Sequence, residues 1–495
     1  MKKIIILLLF TTISYVQALT LQESGQLALK NNLDIQNSIL AFKENQMDQL
    51  KTLSMYIPQL SGSYTKNSLN QPSVSQMFST YPIEANSFTP SVSMLLPGGG
   101  SIQAQYSYQY SQSTPINNPM FPSSSPDSYT AQYTISFNQP LLQNFLFIPQ
   151  DVNIIRMAKH SKEIARDMIY QASENVLLNT YITYVNLIIA KLNVEVKNNS
   201  FKRAQTLLSK NLKNKSLGIV ENTDILGSRA ALAQRTSDLL SSQGNVKNVL
   251  NQLKILMNQK GSLNIEDFKL NLEKLSLFTN NMITNLEKAK RISYSNNIGL
   301  KILQEQLKLQ KLNVQNMASK IMPQLNLFGN YGYYGNADTE EDAFQALSDK
   351  KYKNWTIGLN LSMPLFPAGS IAELKKQKAE LQKIQNNITK TKLQIETQLK
   401  DKIRDVKIAK ESMLSMKKND QYQNQKLSEE EKKYKMGRSS NRVIIMYQDD
   451  VENAETFYLQ SLLRYYISLL SLDYAEGLLI KKYAPDFYNS ISKLK

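Results

Sequence analysis

The chain lays out one plan twice, and that duplication limits its possible folds more than any other feature. Tyr56-Ile57-Pro58-Gln59-Leu60 returns as Ile321-Met322-Pro323-Gln324-Leu325, and Pro140-Leu141-Leu142 returns as Pro364-Leu365-Phe366. Leu217-Gly218-Ile219 returns as Met436-Gly437-Arg438. In each copy the order is helix, Pro-Gln-Leu, strands, Pro-Leu, very long helix, glycine turn, helix. A repeated unit of this kind buries its faces against neighbours, and a symmetric tube meets that need. Pro140 to Gly218 is 78 residues and Pro364 to Gly437 is 73, so the helical parts match. Pro58 to Pro140 is 82 residues and Pro323 to Pro364 is 41, so the first strand region carries about one additional hairpin.

The strand regions alternate with period 2. Phe88, Pro90, Val92, Met94 and Leu96 interleave with Ser87, Thr89, Ser91, Ser93 and Leu95. After the turn Pro97-Gly98-Gly99-Gly100, the series Ile102, Ala104, Tyr106, Tyr108, Tyr110 interleaves with Ser and Gln. Tyr129, Ala131, Tyr133, Ile135 and Phe137 repeat the pattern, as do Leu325, Leu327, Tyr331 and Tyr333 with Trp355, Ile357, Leu359 and Leu361. One face is apolar and tyrosine-rich; the other is polar without charge. That is the signature of a barrel wall with lipid outside and water inside, and it fits better than a soluble β-sandwich. Connections at 69–85 and 111–127 are rich in Ser, Pro and Asn and read as loops at one end of the strands. Phe88 to Tyr110 supplies the extra hairpin, and its clean alternation favours its entering or extending the wall over a purely external loop. Six strands per chain would give 18 in a trimer; four would give 12.

The helices are of a different kind. Residues 20–56 and 284–321 each read as one helix, ended by Pro58 and Pro323. From Gln150 to Leu217 neither Gly nor Pro occurs, roughly 100 Å of helix at about 1.5 Å per residue, against a hydrocarbon core of about 30 Å. Ile371 to about Lys435 is its counterpart, with a narrow stripe including Leu374, Leu381, Ile384, Ile388, Ile395, Leu399 and Val406. The other faces are Lys, Gln, Asn and Glu, which suits helices packed side by side in a thin wall wetted on both faces.

Composition decides where such a chain works. Met1-Lys2-Lys3, the short apolar run Ile4 to Phe10 and Val16-Gln17-Ala18 read as a signal peptide over 1–18, too short to span a membrane. No other stretch reaches the length of a helical span, and mean hydropathy is −0.37, so a membrane role requires a barrel. With 0 cysteines, packing or assembly holds the exported chain. The net charge of +17 invites a nucleic-acid reading, but the lysines are dispersed along helices of an exported chain.

No catalytic set is visible. His160 is the only histidine, which excludes a His-dependent triad or a multi-His metal site. The run Asp338-Thr339-Glu340-Glu341-Asp342 lacks the alternating ligands and turn glycine of a calcium loop and reads as an external loop. We expect no enzyme activity, catalytic residue, cofactor or metal.

Taken together, Pro58-Gln59-Leu60, Pro323-Gln324-Leu325, Gln139-Pro140-Leu141-Leu142, Met363-Pro364-Leu365-Phe366 and the two tip segments resemble the TolC family of outer-membrane efflux proteins. The tips are Leu217 to Leu226, and Tyr434 to Arg438 followed by Tyr447-Gln448-Asp449-Asp450. The resemblance covers nearly all of the mature chain. It implies an α+β membrane protein: a trimeric outer-membrane β-barrel continued by a long periplasmic α-helical coiled-coil tunnel. It implies a homotrimer in outer-membrane lipid of a Gram-negative bacterium, with a periplasmic adaptor and an inner-membrane pump as partners and no nucleic acid. The organisation expected is 1–18 signal peptide; 19–258 first repeat, with strands over 59–139 and a tip at 217–222; and 259–283 connector. The second repeat follows over 284–481, with strands over 324–364 and a tip at 436–442, and then a tail over 482–495.

The resemblance also assigns residues. Leu217, Gly218, Ile219, Met436, Gly437 and Arg438 would meet the adaptor, and Pro58, Pro140, Pro323 and Pro364 would mark strand–helix junctions. The family's gate latch maps onto Asp224 and Tyr434, with Arg438 one residue before the position of the family's arginine, which here is Ser439. The narrowest ring falls on Val443 and Met446, where aspartates are absent, and Arg442 nearby favours anions. The function implied is the passive exit duct of a tripartite efflux system. The alternatives are the outer-membrane component of type I protein secretion and, in another class, a non-conducting adhesive protein on a coiled-coil stalk.

Overall fold

The computed structural model describes residues 19–69, 83–112, 127–143, 150–216, 218, 220–261, 264, 266, 268 and 285–494. The expected signal peptide, most of both long strand connections, Leu217, Ile219 and most of the 259–283 connector lie outside these described residues. The described chain divides into two compact units. One takes residues 42–164 and 303–387; the other takes residues up to 41, 165–302 and 388 onward.

The first unit is built on one antiparallel sheet of six strands in sequence order: β1 Gln59–Leu69, β2 Ile83–Leu96, β3 Gly100–Gln112, β4 Asp127–Pro140, β5 Gln324–Ala337 and β6 Tyr352–Ser362. The extra hairpin, β2 and β3, lies inside this sheet between β1 and β4. β4 pairs directly with β5, with Tyr133 opposite Tyr333, so both repeats share one sheet. The register aligns the two faces across all six strands. Leu60, Val92, Ala104, Ile135, Tyr331 and Trp355 form one apolar row. Ser61, Ser91, Gln105, Thr134, Gly332 and Asn354 form a neighbouring row on the opposite face. Pairing at this register keeps every strand's apolar set on the same side, as a period of 2 demands. Among the described residues, β1 and β6 are the edges of this sheet.

Pro58 and Pro323 immediately precede β1 and β5, Pro140 ends β4, and Pro364 follows β6 by two residues. Amide and carboxylate side chains tie this region together. Asp151, in the first turn of the helix Gln150–Ser216 (α3), accepts from the Tyr56 hydroxyl (2.6 Å) and the Gly98 amide (2.8 Å). The turn of the extra hairpin is thereby anchored to the helix that follows β4. Gln143 donates to the Met322 carbonyl, and Asn153 donates to Asn316 (2.8 Å).

The acidic run expected to be a loop instead starts a short helix, α7, Glu340–Ser348. Thr339 caps it through the Asp342 amide, and three acids in its first turn suit the positive end of a helix. Ala343 and Leu347 are buried against the sheet. Gly335 permits this: a Cβ there would collide with the Ala343 carbonyl oxygen and the Leu347 amide.

The second unit is helical. Neither expected helix, 20–56 or 284–321, is continuous. The first is α1 Leu21–Asn31 and α2 Leu33–Leu53 followed by a 3₁₀ turn; the second is α5 Leu286–Asn296 and α6 Ile298–Ser319. Asn32 and Asn297 sit at the breaks in extended backbone, at ψ 134° and 117°. Each side chain caps the helix that follows, accepting from Asp34 N at 2.9 Å and from Leu300 N at 2.9 Å. Both lie 26 residues before the proline of their repeat, so the break is duplicated too. A local Asn cap outcompeted the apolar periodicity that continues across it.

The remaining helices are α3, α4 Asn222–Leu256, α8 Ala368–Lys435, α9 Asn441–Ala475, α10 Leu479–Tyr483 and α11 Pro485–Ser492. Tyr181, Tyr184, Leu187, Leu253, Leu399 and Leu470 centre the core. Gly25 lets α1 approach α3, because a Cβ would overlap the Tyr181 ring. The expected tail packs in as well: Tyr488 meets Tyr170 at 5.1 Å, and Ile491 is buried. No described helix is long and apolar enough to cross a membrane.

Candidate functional site

Two regions stand out: the glycine turns of the helical unit and the two-faced sheet. The turn after α8 is a Schellman motif, with Arg438 N donating to Lys433 O (2.9 Å) and Gly437 N to Tyr434 O (3.0 Å). Gly437 and Gly218 have φ of 72° and 75°, where a side chain would be strained. Met436 is 61% exposed, and Gly437 and Arg438 are also exposed.

Beside these turns lies a buried polar cluster joining four helices. Asn211 of α3 donates to Ser228 of α4 (2.8 Å) and to Asn441 of α9 (2.7 Å). Asn441 donates to the Asp224 carbonyl (2.9 Å), and the Tyr434 hydroxyl of α8 donates to Asn211 (2.7 Å). Asn211, Ser228 and Asn441 are almost fully buried. Tyr434 and Asp224, the proposed latch pair, therefore enter one network, but Tyr434 bonds Asn211, and Asp224 contributes its backbone carbonyl. Burial, reinforced by the Asp224 charge, pushes the Tyr434 hydroxyl above its usual range, so it stays a donor. Arg438 stands outside the described bonds of this cluster. Composition hides asparagines that are buried; the one sequence hint is that Asn441 and Asn222 both follow their turn glycine by four residues. Asn222 instead accepts from Lys215 (2.9 Å) at the surface.

Farther along, an ionic cluster joins α3, α4 and α9. Glu452 accepts from Lys197 (2.6 Å) and Ser200 and pairs with Arg235 (2.8 Å), which also pairs with Asp449. Burial pushes the Glu452 carboxyl up, but the Lys197 and Ser200 hydrogen bonds and the Arg235 charge outweigh it, leaving it below the usual range. A cleft of about 520 Å³ near the turns is lined by Lys202, Arg203, Lys210, Lys213, Lys435 and Glu431 among others, a strongly basic set.

On α9, Arg442 and Met446 are exposed one turn apart, and Val443 is half-buried beside them. Asn441, Ile444 and Gln448 turn inward. The three residues expected at the constriction thus share the outer side of the helix from the buried cluster. On the sheet, large apolar side chains stand exposed, Leu60 at 79% and Trp355 at 64%. An exposed, continuous apolar face of this size needs a cover.

Residues 295–477 match the family model described as outer membrane efflux protein. No curated protein sequence matches the chain. Among solved structures, the Campylobacter jejuni CmeC outer membrane channel is similar over 96% of this chain and 88% of its own, at TM-score 0.66 and 16% identity. CusC aligns over 95% of both chains, at TM-score 0.69 and 13% identity. Vibrio cholerae VceC aligns over 92% of this chain and 96% of its own, at TM-score 0.66 and 14% identity.

Proposed function

We propose that this chain, whose residues 295–477 match the outer membrane efflux protein family and whose fold is similar to that of outer-membrane channels, is the passive exit channel of a tripartite export system. The register-matched sheet carries this reading: one face is apolar, exposed along a row through all six strands and covered by α7 only around Ala131 and Gly335, and the other is polar and uncharged. Three copies would pair β6 of one with β1 of the next and close a barrel of 18 strands in the outer membrane, with lipid against Leu60 and Trp355 and water against Ser91 and Gln105. The helices would line a periplasmic passage ended by the two glycine turns.

Those turns, with Leu217, Gly218, Ile219, Met436, Gly437 and Arg438, would receive a periplasmic adaptor that links the channel to an inner-membrane pump. The basic cleft beside them favours an adaptor hairpin with acidic side chains. The buried Asn211–Asn441–Tyr434 cluster, with Asp224, would hold the passage shut, and Arg442, Val443 and Met446 would line its narrowest point. Work is done elsewhere in such a system, which suits a chain with one histidine and no cysteine. Conductance of the purified protein in a planar bilayer tests the reading. Discrete ion-conducting steps are expected; a protein that inserts without conducting would be a stalk or adhesin instead.

A further inference from the structure

We propose that the apolar face of β5 and β6 binds a phosphorylated lipid, its phosphate held by Lys350, Lys353, Tyr331 and Tyr333 and its acyl chain lying toward Leu359. This rests on the reading that this face meets lipid. The register sets Tyr333 opposite Lys353 and Tyr331 opposite Trp355. Alternate residues of a strand share a face, so all four stand together on the apolar side. Lys353 Nζ lies 5.1 Å from the centre of the Tyr331 ring, and Lys350 Nζ lies 5.9 Å from that of Tyr333. The two phenol hydroxyls are 2.9 Å apart, with their rings nearly perpendicular.

Lys350 is set there by α7. The helix is seated on the sheet through Ala343 and Leu347, and its last turn closes with Lys350 N on Leu347 O (3.1 Å), at φ 52°. Among the described residues, neither Lys350 nor Lys353 has a carboxylate within ion-pair distance, although α7 begins with three acids. Two uncompensated ammonium groups and two hydroxyls suit an anion with several acceptor oxygens.

Beyond the cluster the face is apolar. Gly329 stands opposite Ile357, so that position of β5 carries no side chain. Leu327 with Leu359 and Leu325 with Leu361 continue the row. The bare position, bordered by Ile357 and by the Phe137 ring 3.9 Å from where a Cβ would stand, leaves a slot in the row along which a chain of methylenes can lie. A free phosphate would leave the slot empty, and a neutral lipid would leave both ammonium groups unpaired, so the two features together specify one amphiphile.

Trp355 is the only tryptophan and sits beside the cluster, so its fluorescence reads the site directly. The full-length protein is reconstituted in phosphatidylcholine bilayers containing dibrominated phosphatidic acid or, separately, dibrominated phosphatidylcholine. Quenching should show phosphatidic acid favoured by roughly fivefold or more, the effect of about one ammonium near an anionic lipid. The preference should fall to about one in the Lys350→Gln/Lys353→Gln variant, persist in Lys407→Gln on α8, and survive millimolar inorganic phosphate. Unchanged conductance of the double variant shows that it folds, and Tyr331→Phe/Tyr333→Phe should lose part of the preference. Equal quenching by the two lipids, a preference kept by the double variant, or displacement by inorganic phosphate overturns the proposal while leaving the channel reading intact. If neither lipid quenches Trp355, the face is not in lipid, and that reading fails with it.

Discussion

Asn441 makes or receives four hydrogen bonds in the buried cluster, with Asn211, Ser228 and the Asp224 carbonyl. Asn441→Ala removes all four, leaving one Asn211 N–H without its acceptor in a buried site while the Asn211–Ser228 and Ser228–Asp224 bonds remain, at a cost of about 1–3 kcal/mol for a buried group left unpaired. We expect a higher single-channel conductance from a loosened tip; a closed-type conductance identical to the parent protein would remove this cluster from the gate. Arg442 is exposed where the family resemblance puts the constriction. Reversal potentials across a salt gradient should show weak cation selectivity, and Arg442→Glu should move them toward cations. Glu174 is the residue for pH. Burial pushes its carboxyl up to about 7 against the pull of Lys301 and Lys481, from an ordinary value of 4.5. The folded state then holds a proton that the unfolded state has lost, so this group's contribution to stability falls as pH rises from about 4.5 to about 7. Glu174→Gln should raise the melting temperature at pH 8 and change it little at pH 4.

At the scale of elements, α7 depends on one missing side chain. Gly335→Ala puts a Cβ into the α7 backbone, which neither rotamer change nor solvent can relieve. Amides of residues 343–348 should lose hydrogen-exchange protection while β5 keeps its own; unchanged protection would mean that α7 can shift on the sheet without cost. The paired breaks at Asn32 and Asn297 carry a different lesson. Apolar spacing runs through both, which is why each region reads as a single helix. The asparagines win because their carboxamides cap the next helix, and Asn32 also donates to the Leu256 carbonyl at 3.0 Å. That bond needs a partner 224 residues away, which no local pattern announces. The long helices α3 and α8 posed no such problem. Both run unbroken through asparagines such as Asn186 and Asn387, and the glycines that follow them are the ones the turns require.

For the whole molecule the decisive fact is that, among the described residues, β1 and β6 form the two edges of the sheet. Exposed edges invite pairing, and pairing with a second copy is the closed solution for a duplicated tube. Because the chain has 0 cysteines, a pair placed in β1 and β6 of the same chain is the only source of disulfides. Cysteines substituted for Ser63 and for residues 354–358 in turn should give disulfide-linked dimers and trimers at one or two registers. Monomer throughout, in a protein that conducts, would mean that the barrel closes some other way.

By itself the sequence determined what local rules can carry: period-2 strands with one lipid-type face, helices too long and too polar for a membrane, glycine turns, and a plan written twice. These depend on neighbours within a few residues. Only the tertiary structure decided that β2 and β3 enter the same sheet as β5 and β6, and that the acidic run folds into α7. It alone revealed that Asn211, Ser228, Asn441 and Tyr434 share one buried cluster. Those outcomes turn on register, on room left by Gly335, and on hydrogen bonds between residues up to 230 positions apart. A buried asparagine and an exposed one look alike in a sequence; packing alone tells them apart.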